Sequence, residues 1–360
     1  MSTVRPIAPG AVRWIVRTLE EAGYETWAVG GAVRDALMGR TSVDWDLATK
    51  ATPKQVRRIF SRTVPVGIDH GTVGVLARDG VMYELTTFRR DVQTDGRHAL
   101  VEFAERIEDD LSRRDFTINA VAWHPLRDEF YDPFGGEEDL SAGRLRTVGD
   151  ADQRFKEDYL RILRALRFAG RFDLKIEDVT WRSLVGLAYR LQTLSPERIR
   201  DELIKVLSID PSPWRALSLY REAGVIDVLY PEIGALREGL WDDAIAVVNA
   251  LPVGRPKLRL AALLRPVVES DAVGLLVRLR LSNADTDAVA RLASATDLPS
   301  ADLDPTLLRR WLSRHGRAVM RGLSRIEIAS ARSGRGSKNL RMVVDSWSRL
   351  RAELRTSPPL

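Results

Sequence analysis

The chain has 360 residues, 44% hydrophobic and 29% charged, which excludes a disordered chain and leaves room for roughly two to four compact units with a sizeable core. It contains no cysteine, so disulfides, Cys-based zinc sites and thiol catalysis are excluded. No run reaches the about 18 uninterrupted apolar residues of a membrane span, and the opening MSTVRPIAPG lacks a secretory signal's apolar run, so a cytoplasmic protein is expected. The four histidines, His70, His98, His124 and His315, are scattered, which argues against a multi-His metal site. The net charge of +5 hides an asymmetry: residues 301–360 carry 13 Lys/Arg against 5 Asp/Glu, while the rest is slightly acidic. A basic C-terminal stretch suggests a polyanionic partner, with a solvated, salt-laced helix face as the plain alternative.

In chain order, residues 11–22 show helical periodicity ending at Gly23. TWAVGG reads as a strand entering a tight Gly-Gly turn, AVRDALMG as a helix closed by Gly39, and VDWDLAT as a strand. TPKQVRRIF reads as a helix capped by Thr52 with Pro53 at its first position. Strands are expected at 64–67, 72–77, 81–88, around 101–103 and at 117–122, completing a mixed α/β unit that ends near residue 145. Amphipathic helices then take over at 153–170, 178–192, 196–208 and 213–223 and beyond, with Pro-containing breaks at 211–213, 231, 252–256 and 298–305. The stretch 330–338 reads as a flexible loop. The fold class is therefore α+β, an α/β head (1–145) followed by helical segments at 146–210, 211–300 and 301–360.

Four segments can carry chemistry. In VGGAVRD, Gly30 and Gly31 let the backbone approach a ligand, the helix behind them offers N–H groups to phosphate, and Arg34 lies in its first turns; an ordinary βα turn is the alternative. In DWD, alternation on a strand puts Asp44 and Asp46 on one face and Trp45 on the other. Paired carboxylates repel unless a cation joins them, and Mg²⁺ is bound by one or two carboxylates plus substrate phosphates. Alone, DxD reads more readily as a polar strand end; beside the glycine turn it gives what nucleotidyl transfer requires. Glu84, in YELTTFRR, offers a third carboxylate from a later strand. Arg113 and Arg114 form a cationic pair suited to phosphate, or to surface ion pairs.

In EDYLRILRALRFAGRF, Asp158, Arg161, Arg164 and Arg167 recur every three residues and form a drifting helical stripe. Such a stripe binds anions or a base, or is neutralised by acidic neighbours such as Glu157. Asp158 accepts hydrogen bonds and Arg161 only donates. Side by side they match the Watson–Crick edges of cytosine and adenine, which set an amino donor next to a ring-nitrogen acceptor. Uracil and guanine present the reverse.

The strings VGGAVRDALMGRTSVDWDLAT, DDLSRRDFTINAVAW, YDPFGGEEDL, EDYLRILRALRFAGRF and SPERIRDEL, in this order over roughly residues 20–210, resemble the class II tRNA nucleotidyltransferases and bacterial poly(A) polymerases, most of all the CCA-adding members. The resemblance implies a polymerase-β-like nucleotidyltransferase head, then all-helical neck, body and tail that hold tRNA. It implies that Gly31 and Arg34 contact the nucleotide and that Asp44 and Asp46 bind Mg²⁺. Arg114, Asp158, Arg161, Arg164 and Arg167 would bind incoming CTP or ATP. Residues 91–98, with Asp95 and Arg97, look like the family's flexible loop. LRLSNAD (279–285) is similar to its body region, and no HD-type hydrolase signature is present. The expected activity is template-independent addition of C and A to the 3′ end of tRNA. The same motifs serve CC-adding and A-adding specialists and poly(A) polymerases, and the alternative from another class is a non-catalytic RNA-binding relative.

Overall fold

The computed structural model describes residues 5–42, 44–94, 99–209, 211–336 and 338–356. The chain forms two compact units, Met1–Ala165 with Leu174–Leu187, and Leu166–Asp173 with Ala188–Leu360. The stretch 146–210 therefore contributes to both.

In the first unit, α1 (Gly10–Glu21) buries Val12, Ile15, Val16 and Leu19, the spacing of one helical face. β1 (Thr26–Val29) runs into Gly30 and then α2 (Gly31–Leu37). β2 (Asp46–Thr49) leads to α3 (Pro53–Ile59), whose start is fixed by a capping box between Thr52 and Gln55 with Pro53 behind it. β3 (Thr63–Gly67), β4 (Thr72–Leu76) and β5 (Met82–Thr87) follow, then a hairpin of β6 (Arg89–Thr94) and β7 (Ala99–Phe103). Asp95 and Arg97 lie outside the described residues. α4 (Ile107–Ser112), β8 (Ala122–His124), β9 (Glu129–Tyr131), α5 (Gly136–Ser141), β10 (Arg144–Leu145), α6 (Ala151–Glu157), α7 (Leu160–Phe172), β11 (Lys175–Ile176) and α8 (Asp178–Leu187) complete the chain order here, the second half of α7 belonging to the other unit.

The main sheet runs β3-β4-β5-β2-β1-β8-β9. Every pairing is antiparallel except β2 with β5, which is parallel. One core joins Val12, Ile15, Leu19 and Val33 of the helices to Leu47, Val73, Val75, Tyr83 and Leu85 of the strands. A second core joins Val29, Ala48, Ala120 and Ala122 to Phe88 and to Leu111 of α4.

The second unit is helical: α9 (Pro196–Ile209), α10 (Pro213–Glu222), α11 (Val225–Leu229), α12 (Pro231–Gly234), α13 (Glu238–Ala250), α14 (Pro256–Leu264), α15 (Glu269–Arg278), α16 (Asn283–Ser294), α17 (Pro305–Arg332) and α18 (Leu340–Thr356). Arg259 is fully buried and donates to the carbonyls of Leu207 and Leu251, at the C-terminal ends of α9 and α13, where a cation is favoured. Leu298, Leu308, Leu312, Met320, Leu323, Val343 and Leu350 form the core between the last two helices and their neighbours. α17 is bent at Gly316 (φ 78°, ψ 169°), a backbone state that glycine adopts without the Cβ penalty. Among the described residues no helix is long and apolar enough to cross a membrane.

Several expected elements are differently built. The helix expected over 153–170 is two helices, broken where Asp158 is extended (φ −157°, ψ 105°) and its Oδ1 accepts from Leu160 N at 3.0 Å. The apolar period runs through this break, so periodicity alone misses it. The strand expected over 117–122 is a 3₁₀ turn, Thr117–Asn119, before β8. The helix expected over 178–192 ends at Leu187 and continues as a 3₁₀ segment, Ala188–Thr193. The stretch 330–338 is mostly anchored: α17 continues to Arg332, and Lys338 donates to Leu298 O and Glu327.

Candidate active site

The site begins at the parallel β2–β5 pair. Asp46 opens β2 and its Cα partner on β5 is Glu84, so both carboxylates rise from the same sheet face. Asp44 precedes the strand rather than lying on it, which corrects the simple alternation expected for DWD, while Trp45 is buried as expected. Asp46 is open to solvent at its edge. Crowding by protein, and then the nearby charge of Asp44, raises its carboxyl pKa to about 6 against the pull of Arg114, with Glu84 adding to the rise. The charges of Asp44 and Glu84 add to that of Asp46, and Arg114 offsets them only in part, which favours a cation beside Asp46. Among the described residues no group of three acidic or histidine side chains is placed to hold an ion by itself. A Mg²⁺ ion that keeps waters and substrate phosphates as ligands needs no such complete cage.

Gly30 flanks Asp46 on the side of β1. Its φ of 71° and ψ of −132° suit glycine, and a Cβ there would lie 3.1 Å from Arg114 Nη1 and 3.6 Å from Asp46 Oδ2. The turn, the guanidinium and the carboxylate thus meet at one place. Arg114 donates to Asp110 Oδ2 at 3.0 Å and to Asn119 O at 3.3 Å, and its buried Nε has no hydrogen-bond partner among the described residues. Gly31 follows at the start of α2.

Asp110 is fully buried and grips both Arg113, at 2.8 Å, and Arg114. Burial alone would raise its pKa, but the two guanidiniums hold it below the usual carboxylate range. A second relay runs from α2 to α7. Arg34 is buried, bound to Asp35 at 2.7 Å and to Asn119 Oδ1 at 2.7 Å. Asn119 donates to Asp115 Oδ1 at 2.9 Å, and Arg164 donates to Asp115 Oδ2 at 2.7 Å. Burial opposes the charge on Asp115, yet Arg164, the Asn119 hydrogen bond and then Arg161 lower its pKa to about 2.

Arg161 donates to Glu157 Oε2 at 2.6 Å, to Arg154 O and to Arg113 O. Arg167 belongs to the second unit, where it is buried and donates to Glu202 Oε2 at 2.7 Å. The structure therefore gathers Gly30, Asp46, Glu84 and Arg114 at one spot, with Asp44 beside Asp46. It links Arg34, Arg113, Arg161 and Arg164 through shared partners. Asp158 stands at the helix break, and Arg167 is turned into the helical unit. Each arginine of the expected stripe has its own carboxylate: Glu157, Asp115 and Glu202.

Asp110, Asp115 and Asn119 were not singled out from the sequence. Asp110 carried a signal, three and four residues before Arg113 and Arg114 on one helical face. Asp115 and Asn119 carried none, because their partners Arg34 and Arg164 come from distant segments.

Two family models match the chain: poly A polymerase head domain over residues 26–146, and probable RNA and SrmB-binding site of polymerase A over 173–236. A CCA-adding enzyme of Anoxybacillus flavithermus is 42% identical over 243 residues, 67% of this chain and 60% of that protein. One from Streptococcus uberis is 45% identical over 60% of this chain and 53% of its own length. The chain thus spans between about half and three fifths of these relatives. A CCA-adding enzyme of Lactococcus lactis is 39% identical over 80% of this chain and 72% of its own. The crystal structure of the Bacillus stearothermophilus CCA-adding enzyme in complex with CTP is 31% identical, with a TM-score of 0.77 over 97% of this chain and 83% of that one. The Thermotoga maritima CCA-adding enzyme complexed with tRNA shares the fold at 22% identity and a TM-score of 0.67. With matching motifs, head and architecture, the chain belongs to the family of class II tRNA nucleotidyltransferases and bacterial poly(A) polymerases.

Proposed function

We propose that this protein adds C and A nucleotides to the 3′ end of tRNA without a template, using CTP and ATP. The observation that carries the reading is the meeting of Asp46, Glu84, Gly30 and Arg114 at one end of the parallel strand pair. Asp44 and Asp46, with Glu84 beside them, would hold Mg²⁺, which lowers the barrier by neutralising charge on the reacting oxygens. The glycine turn lets the triphosphate approach the backbone, and Arg114, whose Nη1 lies beside that turn, brings a guanidinium to it. The acceptor's 3′-oxygen forms a bond to the α-phosphorus. The bond from that phosphorus to the bridging oxygen breaks, pyrophosphate leaves, and the hydroxyl proton leaves to solvent. These residues act by positioning and electrostatics.

Asp158 and Arg161 are the base-selecting pair in this reading, with Arg113 and Arg164 setting their surroundings. Selection requires Arg161 to exchange its bond with Glu157 for the edge of the base. Arg34 supports the turn from behind through Asn119, and Arg167 holds the far half of α7 through Glu202. Gly31, at the start of α2, would face the phosphates, and Asp95 and Arg97 belong to the segment that resembles the family's flexible loop. A cytoplasmic site of action follows from tRNA as substrate.

The test is product length on tRNA transcripts ending before, within or after CCA, with CTP and ATP supplied separately and together. Two cytidines and one adenosine in order are expected. Long adenosine tails would favour a poly(A) polymerase, and addition of only C or only A would identify a specialist.

A further inference from the structure

The carboxylate row continues past Glu84. Gly74 on β4 pairs with Glu84, and Val64 on β3 pairs with Gly74. Cα partners on neighbouring strands share a face, so Asp46, Glu84, Gly74 and Val64 form one row across four strands. With strands about 4.8 Å apart, Val64 stands about 10 Å beyond Glu84.

Gly74 contributes no side chain, and its neighbours lean over it. Met82 Sδ lies 2.7 Å, and Val66 Cγ2 3.1 Å, from where a Gly74 Cβ would sit. Val64, Val66 and Met82 are 43%, 43% and 44% exposed. The opposite face of the same strands buries Val73, Val75, Tyr83 and Leu85 in the core. An antiparallel sheet with one solvated face is expected to alternate apolar with polar. Here the face that carries Glu84, Thr72 and Thr86 also exposes Val64, Val66 and Met82 around Gly74, and a clustered apolar surface of this kind marks a binding surface.

The position favours one occupant. On one flank of Asp46 stand Gly30 and Arg114, the groups given to the triphosphate. An attacking 3′-oxygen must reach the carboxylates from the other flank, over Glu84. The nucleoside carrying it then extends across Gly74. The shelf is made of aliphatic and thioether groups, which suit the flat face of a base or ribose rather than a phosphate. Every base has such a face, so the shelf tolerates an end that changes with each addition.

We propose that Val64, Val66 and Met82, arranged around Gly74, receive the 3′-terminal nucleoside of the RNA acceptor. This rests on the nucleotidyl-transfer reading of the neighbouring site.

The full chain is assayed with a tRNA transcript lacking CCA, varying RNA and CTP separately. Replacing Val66 and Met82 together by serine should raise KM for RNA by about tenfold or more, the scale of losing one buried apolar side chain, while KM for CTP stays within about twofold. Met82→Leu should retain wild-type KM. Independently, an RNA with 4-thiouridine at its last position should photocrosslink the unmodified protein within 64–82. An unchanged KM for RNA, or a crosslink mapping elsewhere, overturns the proposal. So does a shift of the serine variant from dimer to monomer with RNA kinetics intact, since a second copy would then cover the shelf. If the unmodified protein transfers no nucleotide, the reading of the catalytic site fails, and the crosslink alone decides the shelf.

Discussion

Arginines in two regions of the molecule are treated in opposite ways. Around the candidate site, Arg34, Arg113, Arg114, Arg161 and Arg164 all rest on carboxylates, and Asp110 serves two of them. In the second unit, Arg317, Arg321, Arg325, Arg351 and Arg355 line a groove of about 540 Å³ between α17 and α18, and among the described residues none makes an ion pair. Arg351 instead lies over the Trp347 ring, 5.2 Å from its centroid. A guanidinium held by a buried carboxylate is fixed in direction and exchanges partners only against that hold. An unpaired one at a groove wall attracts any polyanion by counterion release, with little geometric demand and strong salt dependence. The first region is organised for placement and the second for attraction.

Loss of a site carboxylate should cost more than loss of any groove arginine. Asp46→Ala should reduce nucleotide incorporation by about a thousandfold or more while leaving RNA affinity largely intact. RNA affinity lost in parallel would make Asp46 a structural residue. Asp115→Ala should destabilise the protein by about 3–5 kcal/mol in urea unfolding, because Arg164 and Asn119 lose a buried partner. The native pKa of Asp115 lies below the unfolded one, so its contribution is fully present above about pH 4 and is lost as pH falls toward about 2. From that shift the contribution is about 2 kcal/mol, and an Asp115→Asn variant should lose the corresponding acid sensitivity between those limits.

Smaller effects sharpen the distinction. Asp158→Ala should relax rejection of UTP by about tenfold, the scale of one lost hydrogen bond to the base. Unchanged discrimination would remove Asp158 from base selection. At the other region, Arg321→Ala with Arg325→Ala should leave kcat unaltered and flatten the dependence of RNA affinity on salt, by about one unit of slope for each phosphate that these side chains neutralise. A constant slope would show that the groove faces no RNA. Point changes are the better probe here, since deleting 301–360 would also strip Leu308, Leu312, Met320 and Leu323 from the core.

Much of the head was legible because local rules act alone there: the apolar face of α1, the Thr52–Gln55 cap and the Gly30 turn each follow from neighbours in sequence. Strand alternation fits Asp46 at the site and the buried Trp45, but it overreaches in extending the strand, since Asp44 and Trp45 both lie before β2. The break at Asp158 escaped because Leu160, Leu163 and Leu166 keep a helical period regardless of where the helix starts. The decisive event was a carboxylate accepting from Leu160 N. The partners of the arginines escaped for a different reason. Asp115 with Arg164, and Glu202 with Arg167, are brought together only by tertiary structure, and a carboxylate read alone looks solvated.

The β2–β5 pairing, parallel within an otherwise antiparallel main sheet, has a consequence for how the protein becomes active. Asp46 and Glu84 lie on strands separated in sequence by α3 and the β3–β4 hairpin, and hairpins close faster than crossovers of this length. During refolding, local helices and the hairpin should form before β2 and β5 align, so a chain with most of its secondary structure would still lack its acid pair. Recovery of catalysis should therefore lag recovery of the circular dichroism signal, and the interval between them would time the docking of those two strands.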